Sequence, residues 1–245
     1  MPRYGTGLSY AFGPGPASPA IKALIWANVG GFLLSALIPQ ITIYFGLTPA
    51  AVFEEYWIWQ VVTYMFLHGG LFHILFNMLA LWMFGVELER MWGTRFFLRY
   101  YFLTGLAAAA TTLAVALLPF PIASRMYYAV TIGASGAIYG VLLAYALYFP
   151  DRPIYMYLLF PVPAKYFVMI IGAISFLSSI SDTSGGVAHT AHLGGLVFGY
   201  VMLKGARLSP AAEIKYRYLK WKMNRLRRKF GVVEGRRDNG RWKIH

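Results

Sequence analysis

This 245-residue chain has no cysteine, few charged residues and very few acidic ones. Without cysteine there is no disulfide framework, no thiol nucleophile and no cysteine-ligated metal site. Charged residues make up 13% of the chain, and a soluble domain carries about twice that share. Hydrophobic residues reach 58% and the mean hydropathy is +0.55. The class is therefore a polytopic membrane protein, read as one domain. The N-terminal stretch, rich in glycine and proline from Phe12 to Pro19, has no signal-peptide pattern with a small-residue cleavage site. The first apolar run is thus expected to be retained as a helix.

The shortage of acid leaves a net charge of +13. Twelve of the 22 Lys and Arg lie between Lys215 and Lys243, after the last apolar run. A basic flank beside a membrane span meets anionic lipid headgroups on the cytoplasmic face, and nucleic acid is not an expected partner.

A span needs about 20 mostly apolar residues. Six are predicted, over residues 20–39, 70–89, 96–118, 134–149, 164–180 and 187–204. Proline closes the first and the fourth, at Pro39 and Pro150. Arg3, Lys22, Arg90, Arg95, Arg99, Arg152, Lys165, Lys204 and Arg207 all fall on one side, and Arg125 alone on the other. The positive-inside rule then puts both termini in the cytoplasm. Residues 1–19 are expected to be a disordered cytoplasmic segment, 20–205 the six-span domain, and 206–245 a basic cytoplasmic tail, partly helical between Pro210 and Phe230. The outer loop 40–69 lacks Lys and Arg but carries Tyr44, Phe45, Phe53, Tyr56, Trp57 and Trp59. Such a stretch suits the headgroup layer, either as a substrate-access element or as an anchor. No inverted internal repeat is visible.

Polar groups inside such spans read by default as functional. Four of the five histidines lie in apolar surroundings: His68, His73, His189 and His192. The predicted spans two, four and six run from outside to inside, which brings His73, Asn77, Ser135 and His192 to similar depth. His73 and Asn77, four apart, share a helix face and offer an imidazole and an amide to developing negative charge. Ser135 starts a helix, so its own N–H is an unpaired first-turn donor. A serine nucleophile needs a base, and His192 is the best candidate. Ala191, Gly195 and Gly199 form a small-residue stripe matched by Gly136 and Gly140, which lets spans four and six approach closely. Tyr139, one turn below Ser135, is placed to stack on the imidazole. No intramembrane Asp or Glu appears near the sixth span, so a dyad is expected rather than a triad.

At these residues the chain resembles the rhomboid family of intramembrane serine proteases. The resemblance covers about residues 20–205. It rests on His73-x-x-x-Asn77, on Gly133-x-Ser135-Gly136 with Tyr139, on Ala191-His192-x-Gly194-Gly195, and on Glu89-Arg90-x-x-Gly93. It implies an all-α, six-transmembrane-helix rhomboid-like bundle of the basic form. It also implies Ser135 as nucleophile, His192 as base, and His73, Asn77 and the Ser135 N–H as oxyanion site, supported by Tyr139 and Gly133. Transmembrane protein substrates, with a small residue before the scissile bond, are the partners it implies. The first outer loop often carries Trp-Arg in this family; here Trp59 is followed by Gln60. The cell membrane of a prokaryote is the expected location, and no cofactor or metal is expected.

Other readings stand beside this one. Taken alone, Ser135 would be a helix cap and each histidine a packing residue. The four histidines could hold Zn²⁺, although the His-Glu-x-x-His base is absent. A non-catalytic rhomboid-like client-binding protein is the alternative function, and such proteins usually lack the Ser or His. A channel would need polar residues along a continuous path. His68 and His189 are read as supporting residues, and Glu89 as a structural partner of Arg90, Arg95 or Arg99 or a backbone cap. The polar segment 178–188 is read as a mobile cap, with span five as a gate.

Overall fold

A computed structural model describes residues 13–119, 121–156, 160–180 and 186–207, together with 218, 221–223 and 225. The protein is mostly helical, and among the described residues three helices are long and apolar enough to cross a membrane: Pro19–Leu37, Leu71–Trp92 and Thr94–Ala116. It is an integral membrane protein.

Helix α1 (Pro19–Leu37) starts where Ser18 accepts the Ile21 N–H at 3.1 Å, with proline at the first helical position. It buries a single stripe, Ile21, Leu24 and Asn28, and exposes Trp26, Leu33, Leu34 and Leu37. In water such a surface would aggregate; against acyl chains it is matched. The second long helix is built from α5 (Leu71–Ala80), a π-helical turn (Leu81–Gly85) and α6 (Val86–Trp92). Helix α7 (Thr94–Ala116), followed by the short α8 (Pro121–Tyr128), packs small buried residues, among them Gly105 and Ala108, against α9 (Ser135–Tyr148). Helix α9 is buried on nearly every side, from Gly136 to Ala146, and forms the core of the bundle. Helices α10 (Ala164–Ile180) and α11 (Gly186–Arg207) complete it. All six expected spans are helical, with bounds within a few residues of those read from the sequence.

Three expectations need correction. The protein is not all-α: β1 (Pro153–Met156) pairs antiparallel with β2 (Phe160–Pro163), Ile154 facing Val162 in the register. Pro150, Pro153, Pro161 and Pro163 break the helix here, and the β-branched residues between them favour a strand. The second correction concerns residues 40–69, which fold into α2 (Gln40–Phe45), α3 (Pro49–Glu54), α4 (Gln60–Thr63) and a 3₁₀ turn at Tyr64–Phe66. The third concerns the stretch before α1. Residues 1–12 lie outside the described residues, but 13–18 are tied down. Trp82 Nε1 donates to the Gly15 carbonyl at 3.2 Å, and Arg90 donates to the carbonyls of Pro14 and Pro16. The buried Glu89 accepts from the hydroxyls of Ser18 and Thr94, rather than pairing with an arginine.

Residues 181–185 of the 178–188 segment expected to be a cap lie outside the described residues. So does most of the basic tail. Within the tail, the Tyr218 and Trp221 rings are 6.2 Å apart and the Arg225 guanidinium lies 5.4 Å from the Trp221 ring.

Candidate active site

The site is built where three segments converge on the first turn of α9. Residues 129–134, which lead into that turn, are held by main-chain hydrogen bonds. Leu47 and Thr131 exchange backbone hydrogen bonds at 2.9 and 2.8 Å, and Gly133 N–H donates to the Tyr64 carbonyl at 2.9 Å. The first loop thereby fixes where α9 begins. That loop is itself held by Gln60, which is wholly buried. Its amide donates to the carbonyls of Ile43 and Tyr44, each at 3.2 Å, and accepts the Thr48 N–H at 2.9 Å. A neutral amide thus ties the loop together at the position after Trp59, with no ion pair needed.

Helices α9 and α11 touch through glycine. A Cβ on Gly195 would lie 1.9 Å from the Gly136 carbonyl oxygen, and one on Gly199 would lie 3.3 Å from Gly140 Cα. Nothing larger than hydrogen fits at Gly195, as the small-residue stripes require. This crossing brings His192 Nε2 to 2.7 Å from Ser135 Oγ. The Tyr139 ring lies flat on the His192 imidazole, with centroids 4.2 Å apart and planes 9° from parallel. His192 Nδ1 is buried and meets no hydrogen-bond partner among the described residues.

His73 comes from α5 on the other side of Ser135. Gly69 N–H donates to its Nδ1 at 3.3 Å, so the neutral ring carries its proton on Nε2. That nitrogen faces Gly133. A Cβ on Gly133 would sit 2.9 Å from His73 Nε2 and 3.5 Å from Ser135 Oγ. The position at Gly133 is therefore bordered closely by a hydroxyl and by an imidazole N–H, with no room for a side chain. The residue also has φ +125°, which L side chains rarely adopt. Asn77 is buried on the face of His73, as expected, and donates through Nδ2 to the His73 carbonyl at 2.7 Å. One of its two amide hydrogens is thus spent within its own helix. The other remains for the site.

His68 and His189 stand beside these two. The His68 ring meets His73 edge-on at 5.0 Å, and the His189 ring meets His192 edge-on at 5.5 Å. Four histidines therefore form two pairs, one on each side of Ser135.

A family model described as Rhomboid domain matches residues 55–207, more than half of the chain. The chain belongs to the rhomboid family. Rhomboid protein 1, mitochondrial, of Saccharomyces cerevisiae is 32% identical over 162 residues, covering 63% of this chain and 43% of that protein. Rhomboid protease GluP of Bacillus subtilis is 32% identical over 161 residues, covering 66% of this chain and 28% of that protein. Rhomboid protease AarA of Providencia stuartii is 30% identical over 149 residues, covering 58% and 53%. The chain spans about half or less of the length of these rhomboid relatives.

Sequence reasoning missed three contributors in this rhomboid domain. Gly69 sets the His73 tautomer through a main-chain N–H, which no side-chain pattern reveals. Tyr64 holds Gly133 with its carbonyl and donates its hydroxyl to the Gly105 carbonyl at 2.7 Å. Ser175 on α10 is wholly buried and donates to the Tyr139 hydroxyl at 3.1 Å. Its only signal was a hydroxyl in an apolar helix, and serines are common there.

Proposed function

We propose that this protein is an intramembrane serine endopeptidase that cleaves transmembrane segments of other membrane proteins. The 2.7 Å contact between His192 Nε2 and Ser135 Oγ carries this reading. It is the distance a nucleophile and its general base need, inside a chain with helices apolar enough for a membrane. Two of the relatives are named as rhomboid proteases, which supports the same class.

A substrate segment enters from the lipid side and unwinds, because a helical peptide bond is shielded by its neighbours and its carbonyl is hydrogen-bonded. Ser135 Oγ attacks the scissile carbonyl carbon as His192 Nε2 takes the hydroxyl proton. The carbonyl oxygen becomes an oxyanion beside Gly133. There the Ser135 N–H, the His73 Nε2–H and the free Asn77 amide hydrogen can each donate to it. The C–N bond then breaks and His192 returns its proton to the leaving amine. A water repeats the sequence on the ester and frees Ser135. Tyr139 holds the imidazole plane throughout. A small residue before the scissile bond is the expected preference.

The same reading takes the helices as six spans with both termini on the cytoplasmic side and the site near the outer face. It takes the membrane as the cell membrane of a prokaryote. The basic tail lies against anionic headgroups.

The test is cleavage of a reporter with one transmembrane segment by the full chain in liposomes. Wild type should cut it, and Ser135→Ala and His192→Ala should not. A fluorophosphonate should label wild type but not Ser135→Ala. Undiminished cleavage by either variant would sink the assignment. Substrate capture without cleavage by wild type would favour a client-binding protein instead.

A further inference from the structure

The hydroxyl pair between α9 and α10 has no part in the chemistry described so far. Ser175 lies in the C-terminal half of α10, and its side chain is turned fully inward between two exposed neighbours. Ile174 is 53% exposed and Phe176 56%, whereas Ser175 is 0% exposed. A serine buried in an apolar helix could satisfy its hydroxyl on its own helix's carbonyls. This one instead donates across the helix boundary to the Tyr139 hydroxyl, at 3.1 Å. The Tyr139 ring is the surface on which His192 lies flat, and His192 Nε2 reaches Ser135 Oγ. Three consecutive contacts therefore run from α10 through α9 to α11 and back to the start of α9.

The geometry points to Ser175 as a positioning residue: through the Tyr139 hydroxyl it fixes the plane of the ring that orients the His192 base. Stacking alone holds a side-chain ring only weakly against small shifts about χ1 and χ2, since the stack has no directional bond. A hydrogen bond at the ring's far end removes that freedom. The orientation of the base thus depends on where α10 sits, although no atom of α10 touches the imidazole through this path. Any movement that takes α10 away from α9 first breaks the Ser175–Tyr139 bond and loosens the ring. The base is held in line when α10 is docked. This inference rests on the reading of Ser135 and His192 as nucleophile and base.

A double-mutant cycle in liposomes tests it, with kcat and KM measured for wild type, Ser175→Ala, Tyr139→Phe and the double variant. Tyr139→Phe keeps the stacking ring and removes only the hydroxyl. Each single variant should lower kcat by about fivefold, the effect of one buried hydrogen bond, with KM unchanged. The double variant should lose no more than either single one, because both break the same link. A loss in the double variant equal to the product of the two single losses overturns the link. So does a Ser175→Ala protein with wild-type kcat. A purely structural role would change the amount of folded enzyme, so active sites are titrated with a fluorophosphonate before kcat is taken. Failure of wild type to cleave in a Ser135-dependent manner would overturn this inference together with the protease reading. An active wild type with an unaffected Ser175→Ala protein overturns this inference alone.

Discussion

His73 and His192 each form half of an edge-on histidine pair, at 5.0 and 5.5 Å, and flank the same serine from opposite sides. By composition alone the two pairs are interchangeable. What separates them is the second contact of each central ring. The main chain at Gly69 occupies His73 Nδ1 and leaves Nε2 as a donor facing Gly133. Nothing among the described residues occupies His192 Nδ1, while its Nε2 faces a hydroxyl. On the proposed reading, one imidazole gives a hydrogen bond and the other takes a proton. What each ring's two nitrogens meet, more than the histidine itself, separates the two.

That contrast can be broken in stages. Losing the acceptor side should do most damage: His192→Ala or Ser135→Ala should lower kcat by about 10⁴-fold or more, with folded yield unchanged. Losing the donor side should do less: His73→Ala should lower kcat by about 10²–10³-fold, as for removal of one oxyanion donor. Equal losses for His73 and His192 would erase the proposed division of labour. Gly133→Ala should resemble His73→Ala in kcat, because the new methyl group occupies the space between Nε2 and Oγ. It should also lower the melting temperature, since a strained φ costs about 1–3 kcal/mol. A Gly133→Ala enzyme with normal kcat would show that the space is not used. Asn77→Ala should cost only about tenfold in kcat, because one amide hydrogen is already committed to the His73 carbonyl. The outer members should matter least: His68→Ala and His189→Ala should each change kcat by less than about threefold. A collapse in either would make that pair a single functional unit.

Much of this arrangement was readable from the chain. The helix positions followed from apolar run lengths, and the α9–α11 crossing followed from glycines four residues apart. Ser135, His192 and Tyr139 could be brought together because periodicity fixes which side chains share a face and which share a depth. The hairpin at Pro153–Pro163 was missed because a short, proline-broken stretch has no helical or strand period long enough to register. The small helices of residues 40–69 were missed because each is six residues or shorter. The pinning of residues 13–18 was hidden because it uses carbonyl groups, which every residue has. Composition pointed to disorder there, and tertiary hydrogen bonds overrode it. The Gly69 contact to His73 was invisible for the same reason.

The π-helical turn at Leu81–Gly85 has a geometric consequence for the helix that carries His73 and Asn77. A π-turn takes up one residue more than an α-turn, and each residue of an α-helix is worth about 100° of rotation. The halves on either side of the turn are thus out of phase by about that angle. The phase shift is what allows Asn77 to face the site while Glu89 faces the hydroxyls of Ser18 and Thr94. Deleting one residue within 81–85 would leave every hydrophobic residue at a plausible depth. It would also close the π-turn into an ordinary α-turn, so both ends of this helix would keep their partners; closing the turn without a deletion would instead swing one half about 100° against the other.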